Sequence, residues 1–189
     1  MTQRLPAIVL AVSLSVFARR GSAQDAEPTR SHAFVVNGGP MIGILGGGIY
    51  GRLNPEFQMH RENRYGGHML GLGFAFVPWP NEGGPSFSFA PRYQYDHQLV
   101  PGTLFFVSPY VGLDVGLGVF NIFNGGDPRF RFVASPMAGI DVKMIFGRRI
   151  ILGFRPIGVT VPLFFGGSPP VTADVIYDIA LSFGFLYGQ

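Results

Sequence analysis

The sequence predicts an all-β chain folded as an antiparallel transmembrane β-barrel of eight strands. Three observations predict it. Long segments alternate apolar residues with small or polar ones, the period of two that a strand imposes. The minor face of these segments is mostly Gly, Ala and Ser, which suits a crowded narrow lumen better than a solvent face. Charged residues make up only 13% of the chain, about half the usual share of a soluble domain.

The last strand shows the alternation most clearly. Seven residues of one face are apolar or aromatic: Val175, Tyr177, Ile179, Leu181, Phe183, Phe185 and Tyr187. The other face carries Asp174, Asp178, Ala180, Ser182 and Gly184, with Ile176 and Leu186 as exceptions. A wide apolar face and a narrow small or acidic face are expected where lipid lies on one side and a lumen on the other.

The N-terminal residues indicate a secretory signal peptide over residues 1–23. A basic residue, Arg4, precedes an apolar run over residues 8–18, and Gly21-Ser22-Ala23 has the small residues of a cleavage site. An uncleaved N-terminal anchor is the alternative. We therefore expect a signal peptide over 1–23, a flexible periplasmic tail over 24–31 and the barrel over 32–189.

The charge balance excludes several functional classes. The chain has 14 basic and 11 acidic residues, and three of the basic ones lie in the predicted signal peptide, so the mature chain is balanced. The basic character thus belongs to the targeting segment, and no nucleic-acid partner is predicted. The chain has no Cys, which excludes disulfides and thiolate metal sites. We predict no cofactor and no metal.

Six strands can be placed in order along the chain. The first is followed by the turn at residues 78–84, and the fifth shifts its phase near Ile157-Gly158, which predicts a bulge. Because the strand count must be even, residues 32–64 are expected to supply two more strands rather than one. Their turn is expected at residues 37–40 or at residues 46–48. The six segments cover residues 65–78, 86–96, 105–120, 130–146, 150–163 and 174–189.

Loop lengths predict the orientation. The shortest connections, at residues 147–149 and around 101–102, are expected on the periplasmic side, and those at 124–128 and 166–170 on the extracellular side.

Prolines in mid-strand count against the barrel because they donate no ladder hydrogen bond. Our hypothesis is that Pro91, Pro109, Pro136 and Pro156 form one belt at a common depth, with bulges or weakened pairing there.

The predicted mature chain resembles small bacterial outer-membrane barrels of the OmpA/OmpX/OmpW type. The resemblance rests on the signal peptide, the period of two and the aromatic last strand, in which Phe183, Phe185 and Tyr187 keep the spacing and Gly188 and Gln189 follow. It implies a bacterial outer-membrane location, contact with outer-membrane lipid and insertion by the barrel-assembly machinery. It implies no specific activity, and no surface partner is predicted.

Nine charged residues are expected to face the lumen. They are Arg92, Asp96, Asp114, Arg131, Asp141, Lys143, Arg155, Asp174 and Asp178. The lumen of an eight-stranded barrel is filled by its own side chains, and buried charges must pair. The nearly balanced signs predict a lumen plugged by salt bridges, in a barrel with a structural or surface-interaction role. The alternative is a narrow porin-like channel for ions or apolar solutes.

Six aromatic residues are predicted at the membrane interfaces. They are Tyr65, Trp79, Tyr93, Tyr95, Tyr177 and Tyr187. No catalytic residue is predicted. A lipid-modifying outer-membrane enzyme stays as a minority alternative, although the chain lacks a His-x-Ser pair of the kind that lipid A deacylases carry on a strand. His60 and Glu62 are assigned to a polar connector and are weak candidates for a metal site.

Overall fold

Alternating apolar and small residues form long antiparallel strands throughout the described part of the chain. The computed structural model describes residues 31–45, 48–60, 66–79, 83–100, 103–122, 124–167 and 171–187. The predicted signal peptide and all but the last residue of the predicted tail lie outside the described residues. The strands are β1 Ser31–Gly43, β2 Ile49–His60, β3 Gly67–Trp79, β4 Gly84–Gln98, β5 Phe105–Phe120, β6 Arg129–Phe146, β7 Ile150–Thr160, β8 Leu163–Phe165, β9 Val171–Ala173, β10 Ile176–Asp178 and β11 Ala180–Tyr187.

The strands close into a ring of eight. Segments β7 and β8 together form the seventh barrel strand, and β9, β10 and β11 form the eighth, which pairs with β1. One row of paired residues runs once round the barrel through Ala33, Gln58, Gly71, Arg92, Gly112, Met137, Thr160, Ile176 and Gly43. The row leaves β1 at Ala33 and returns to it at Gly43, ten residues further along. This stagger is what tilted strands need in order to close a barrel.

The first hairpin resolves where the two missing strands lie. Strands β1 and β2 are joined near residues 44–48, where the Gly43 amide donates to the Gly48 carbonyl over 2.8 Å. The second predicted turn position is therefore right. Residues 37–40 lie inside β1 and pair with β2, so the first alternative is wrong. Strand β1 begins at Ser31, one residue before the predicted boundary of the barrel.

Apolar and charged residues lie on opposite faces of the ring. Exposed outward side chains such as Phe34, Leu72, Phe89 and Leu152 cover the outside. The described strands hold eleven Asp, Glu, Lys and Arg residues, and all are buried except Arg129 and the half-buried Arg131 near the start of β6. An outside without charge along most of its height suits a hydrocarbon environment. Within the described ranges no helix is long and apolar enough to cross a membrane.

The bulge in the seventh strand lies slightly earlier than predicted. Ile140 of β6 pairs with Ile157, while Val142 pairs with Phe154, so the extra residue lies at Arg155-Pro156 rather than at Ile157-Gly158. The phase of the strand changes there, which leaves Arg155 buried and Ile157 exposed. A bulge of this kind can accept a proline because a ladder hydrogen bond is already lost.

The prolines do not share one depth. Pro109 of β5 pairs with Ile140 of β6, whereas Pro136 of β6 pairs with Leu113 of β5, four residues along from Pro109. The hypothesis of a single belt is therefore wrong. The pairing between β4 and β5 is nevertheless interrupted at Pro91, because the register passes from Phe89 to Arg92 without a pair between them.

We name the two ends of the barrel by the chain termini and the connections that lie there. The terminal end is where β1 begins and β11 ends, and it also carries the connections β2–β3, β4–β5 and β6–β7. The loop end carries the connections β1–β2, β3–β4, β5–β6 and β8–β9.

Candidate functional site in the charged lumen

A chain of alternating charges crosses the lumen, beginning on β2 and β5. The Arg52 Nη2 atom lies 2.9 Å from Oδ2 of Asp114, and its Nη1 lies 3.7 Å from Oδ2 of Asp178. The same Asp178 oxygen accepts a hydrogen bond from Arg155 Nη1 over 2.7 Å. Asp178 therefore joins two guanidinium groups that come from either side of its own strand in the ring, Arg155 from β7 and Arg52 from β2.

The chain continues through a second carboxylate on β6. Arg155 donates through Nε to Oδ1 of Asp141 over 2.8 Å, and Arg92 forms an ion pair with the other oxygen of the same carboxylate. Arg92 Nη1 also lies 3.6 Å from Oε2 of Glu56. Both arginines also contact the Tyr110 ring, with their guanidinium carbons 4.1 Å and 4.3 Å from its centroid. Such cation–π contacts stabilise the arginines in a desolvated place.

Amide side chains satisfy the end of the chain at Glu56. Asn37 Nδ2 donates to Oε2 of Glu56 over 3.3 Å, and Gln58 Nε2 donates to Oε1 over 2.9 Å. Ser182 in turn donates its hydroxyl hydrogen to Oδ1 of Asn37 over 2.6 Å. The carboxylate of Glu56 is fully buried, and these donors offset part of its desolvation cost.

A second, smaller cluster lies nearer the terminal end. Lys143 Nζ forms an ion pair with Oδ2 of Asp96, and Nε2 of His60 lies 3.2 Å from the same oxygen. Gln94 donates an amide hydrogen to the other oxygen of Asp96. His60 is thus the last residue of β2 and a buried partner of Asp96. Its assignment to a polar connector was wrong, and Glu62 lies outside the described residues.

Seven of the nine predicted lumen charges lie buried in these two clusters. They are Arg92, Asp96, Asp114, Asp141, Lys143, Arg155 and Asp178. The other two lie half-buried at the loop end. Arg131 places its guanidinium carbon 5.6 Å from the Phe120 ring centroid. Asp174 accepts backbone hydrogen bonds from Leu45 over 3.1 Å and Val175 over 2.7 Å, which ties the β1–β2 turn to the eighth strand.

Two charged members of the central chain, Arg52 and Glu56, escaped the sequence prediction because β2 could not be placed. The signal was present, since Arg52, Asn54, Glu56, Gln58 and His60 alternate with mostly apolar residues. With them, the buried charges of the described residues comprise four cations and five carboxylates.

Buried apolar clusters lie on both sides of the charges. The loop-end cluster consists of Met41, Tyr50, Val77, Trp79, Phe120, Val133, Phe164 and Ile176. The terminal-end cluster consists of Ala33, Val35, Phe106, Ile145, Ile151 and Leu186. Between the charged clusters lies a cavity of about 20 Å³, lined by residues that include Gln58, Gln94 and Lys143. A cavity of this size has room for about one water molecule.

Four of the predicted interface aromatics lie on the outer face. Tyr93, Tyr95 and Tyr187 are exposed near the terminal end. Tyr177 is half-buried and donates its hydroxyl hydrogen to the Pro156 carbonyl. Tyr65 lies outside the described residues.

Trp79 requires a correction, because its side chain points into the barrel. It is only 4% exposed, donates from Nε1 to Ser86 Oγ over 2.7 Å and packs 5.1 Å from Tyr50 and 5.2 Å from Phe164, measured between ring centroids. The prediction failed because residues 78–84 were taken as a turn. Strand β3 runs to Trp79, and the alternation puts this position inside.

The position of Trp79 can be checked by fluorescence, since the chain has one tryptophan. In vesicles we expect a blue-shifted emission with weak quenching by acrylamide and by phospholipids brominated on their acyl chains, because the ring is enclosed by protein. Ser86→Ala should shift the emission by removing the acceptor of the indole hydrogen. Strong quenching by the brominated lipids would instead place the ring on the outer face.

The fold is similar to that of two solved barrels. Neisserial surface protein A is 14% identical, with a TM-score of 0.50, over 88% of this chain and 100% of that one. The N-terminal β-barrel domain of Pseudomonas aeruginosa OprF is 11% identical, with a TM-score of 0.50, over 83% of this chain and 97% of that one. No protein-family model and no curated protein sequence matches. These similarities confirm the eight-stranded barrel and the architecture-level resemblance to small bacterial outer-membrane proteins.

Proposed function

We propose that the chain is an integral barrel of a bacterial outer membrane whose lumen is closed by its own side chains, with a structural or surface-interaction role. The observation that carries this is the continuous chain of ion pairs between two apolar clusters. The outer face, which carries no charge along most of its height, supports the membrane location. A barrel-assembly machinery would insert the chain, and outer-membrane lipid would surround it.

The charges of the lumen favour closure over conduction. A selective pore uses rings of one sign, whereas here each buried carboxylate is held by an arginine, a lysine or an amide donor. Asp141, for example, contacts both Arg92 and Arg155. An ion crossing this layer would have to replace such contacts, and beyond it would meet the apolar clusters.

The test is conductance in a planar bilayer. Protein purified from an outer membrane, and showing the heat-dependent gel shift of a folded barrel, should give no discrete steps. Phe120→Ala combined with Phe164→Ala thins the loop-end cluster and should stay silent, because the ion pairs remain. Discrete and reproducible steps in the wild-type protein would instead support a channel, and a change in ion preference in Arg52→Gln would place the charges along its path.

The absence of catalysis stays a prediction. Hydrolysis of lipid A or phospholipid by the purified, folded barrel would overturn it and favour the alternative of a lipid-modifying enzyme.

A further inference from the structure

All four histidines of the chain lie at the terminal end of four consecutive strands. His32 lies near the start of β1, His60 at the end of β2, His68 near the start of β3 and His97 near the end of β4. The alternation directs His60 inward and the other three outward. The three outward histidines are half-buried.

The stagger of the barrel puts these histidines at one height. Because a paired row climbs ten residues toward the loop end in eight strands, positions of equal height drift toward the terminal end by slightly more than one residue per strand. The row through His32 continues through Met59, Leu70 and Tyr93. His60, His68 and His97 lie one, two and four residues beyond that row, toward the terminal end. The four histidines therefore lie at one height around half of the ring, and we call this arrangement the half-belt.

Aromatic rings hold two of the outward imidazoles. The His32 ring stacks on Phe57 with centroids 5.7 Å apart and lies 6.1 Å from Tyr187. The Nδ1 atom of His68 lies 2.5 Å from the Tyr93 hydroxyl oxygen, and its ring lies 5.1 Å from Tyr95. Rings with an apolar body and a polar tip are typical of the boundary between hydrocarbon and headgroups. The half-belt therefore marks this boundary at the terminal end.

The charge at this end is positive. Arg148 and Arg149 are exposed in the β6–β7 turn. In the described residues the terminal end has no exposed carboxylate, because Asp96 is buried against Lys143. The connection after His60 carries Arg61, Glu62 and Arg64 in its sequence.

We propose that the three outward histidines of the half-belt, His32, His68 and His97, form a belt that binds the phosphate headgroups of anionic phospholipids. These lipids belong to the leaflet that meets the terminal end. Imidazole is the side chain that gains a proton between pH 5 and 8, so binding should strengthen as pH falls. Among the described residues, the titratable groups facing the belt are the tyrosines at 93, 95 and 187. The arginines of the β6–β7 turn add an attraction that does not vary with pH in this range.

The test is the selectivity for spin-labelled lipids around the folded barrel in phosphatidylcholine bilayers. Immobilised phosphatidylglycerol is compared with immobilised phosphatidylcholine by electron spin resonance at pH 5.5 and pH 8. We expect a preference for phosphatidylglycerol of about two- to five-fold at pH 5.5, since one surface cation contributes about a five-fold effect. At pH 8 the preference should fall.

Variants assign this effect to the belt. His32→Gln, His68→Gln and His97→Gln combined should remove the pH-dependent part, and each single change should remove a share of it. Arg129→Gln changes an exposed cation near the loop end and should leave the pH-dependent part of the selectivity unaltered. A preference that does not change with pH, or one whose change persists in the folded triple variant, would overturn the assignment.

Discussion

Gly39→Ala is expected to prevent the barrel from closing between its first and last strands. A methyl group at Gly39 would lie 2.8 Å from the Ala180 Cα atom and closer still to the Ile179 carbonyl oxygen. Both obstacles are backbone atoms, which cannot rotate away. The eighth strand is already interrupted at Ile179, whose amide donates to the Pro40 carbonyl over 3.1 Å. Overpacking usually costs about 1–3 kcal/mol, and a backbone clash at the closing seam should reach or exceed the upper value.

The measurement is the fraction of protein that migrates as the folded, heat-modifiable form, followed by urea unfolding in vesicles. Gly51→Ala is the matched control. Gly51 pairs with Pro40 on the neighbouring strand, and a methyl group there would meet nothing within 4 Å. Because an alanine in a strand is favoured over glycine by about 0.5–1 kcal/mol, the control should be neutral or slightly stabilised. Equal folding of the two variants would show that the seam tolerates a side chain at Gly39.

The alternation of faces made most of the barrel predictable, because it depends on local geometry alone. Strands β3 to β7 kept their predicted phase, and the inward position of residues such as Asp114 and Asp141 followed from it. Prediction was weakest where glycine and proline interrupt the pattern. Residues 37–40 look like a turn but lie within β1, because β2 supplies a partner for each of them.

The partners of the charged residues could not be predicted for a different reason. Arg52 meets Asp114 from three strands away, and Arg155 meets Asp178 across a bulge. Such contacts depend on the stagger of the whole ring, which a single sequence does not reveal. The level of the histidines depends on the same stagger, so it too became visible only when the register was known.

Arg155→Met is expected to destabilise the barrel by about 3–5 kcal/mol, the usual cost of leaving buried charge without its partner. Arg155 holds Asp141 through Nε over 2.8 Å and Asp178 through Nη1 over 2.7 Å. Methionine fills similar space but donates no hydrogen bond. The two carboxylates would then rely on Arg92 and Arg52, the second of which lies 3.7 Å from Asp178. Urea unfolding in vesicles would measure the loss.

A second change separates charge from packing. Asp141→Asn added to Arg155→Met removes one charge of each sign, so the double variant should be more stable than Arg155→Met alone. Arg149→Met is the control, because Arg149 lies in the exposed β6–β7 turn and its loss leaves no buried charge without a partner. It should alter the unfolding free energy by less than about 0.5 kcal/mol. If the double variant lost the sum of both single effects, then Arg155 and Asp141 would not be coupled, and their paired charge would not explain the loss.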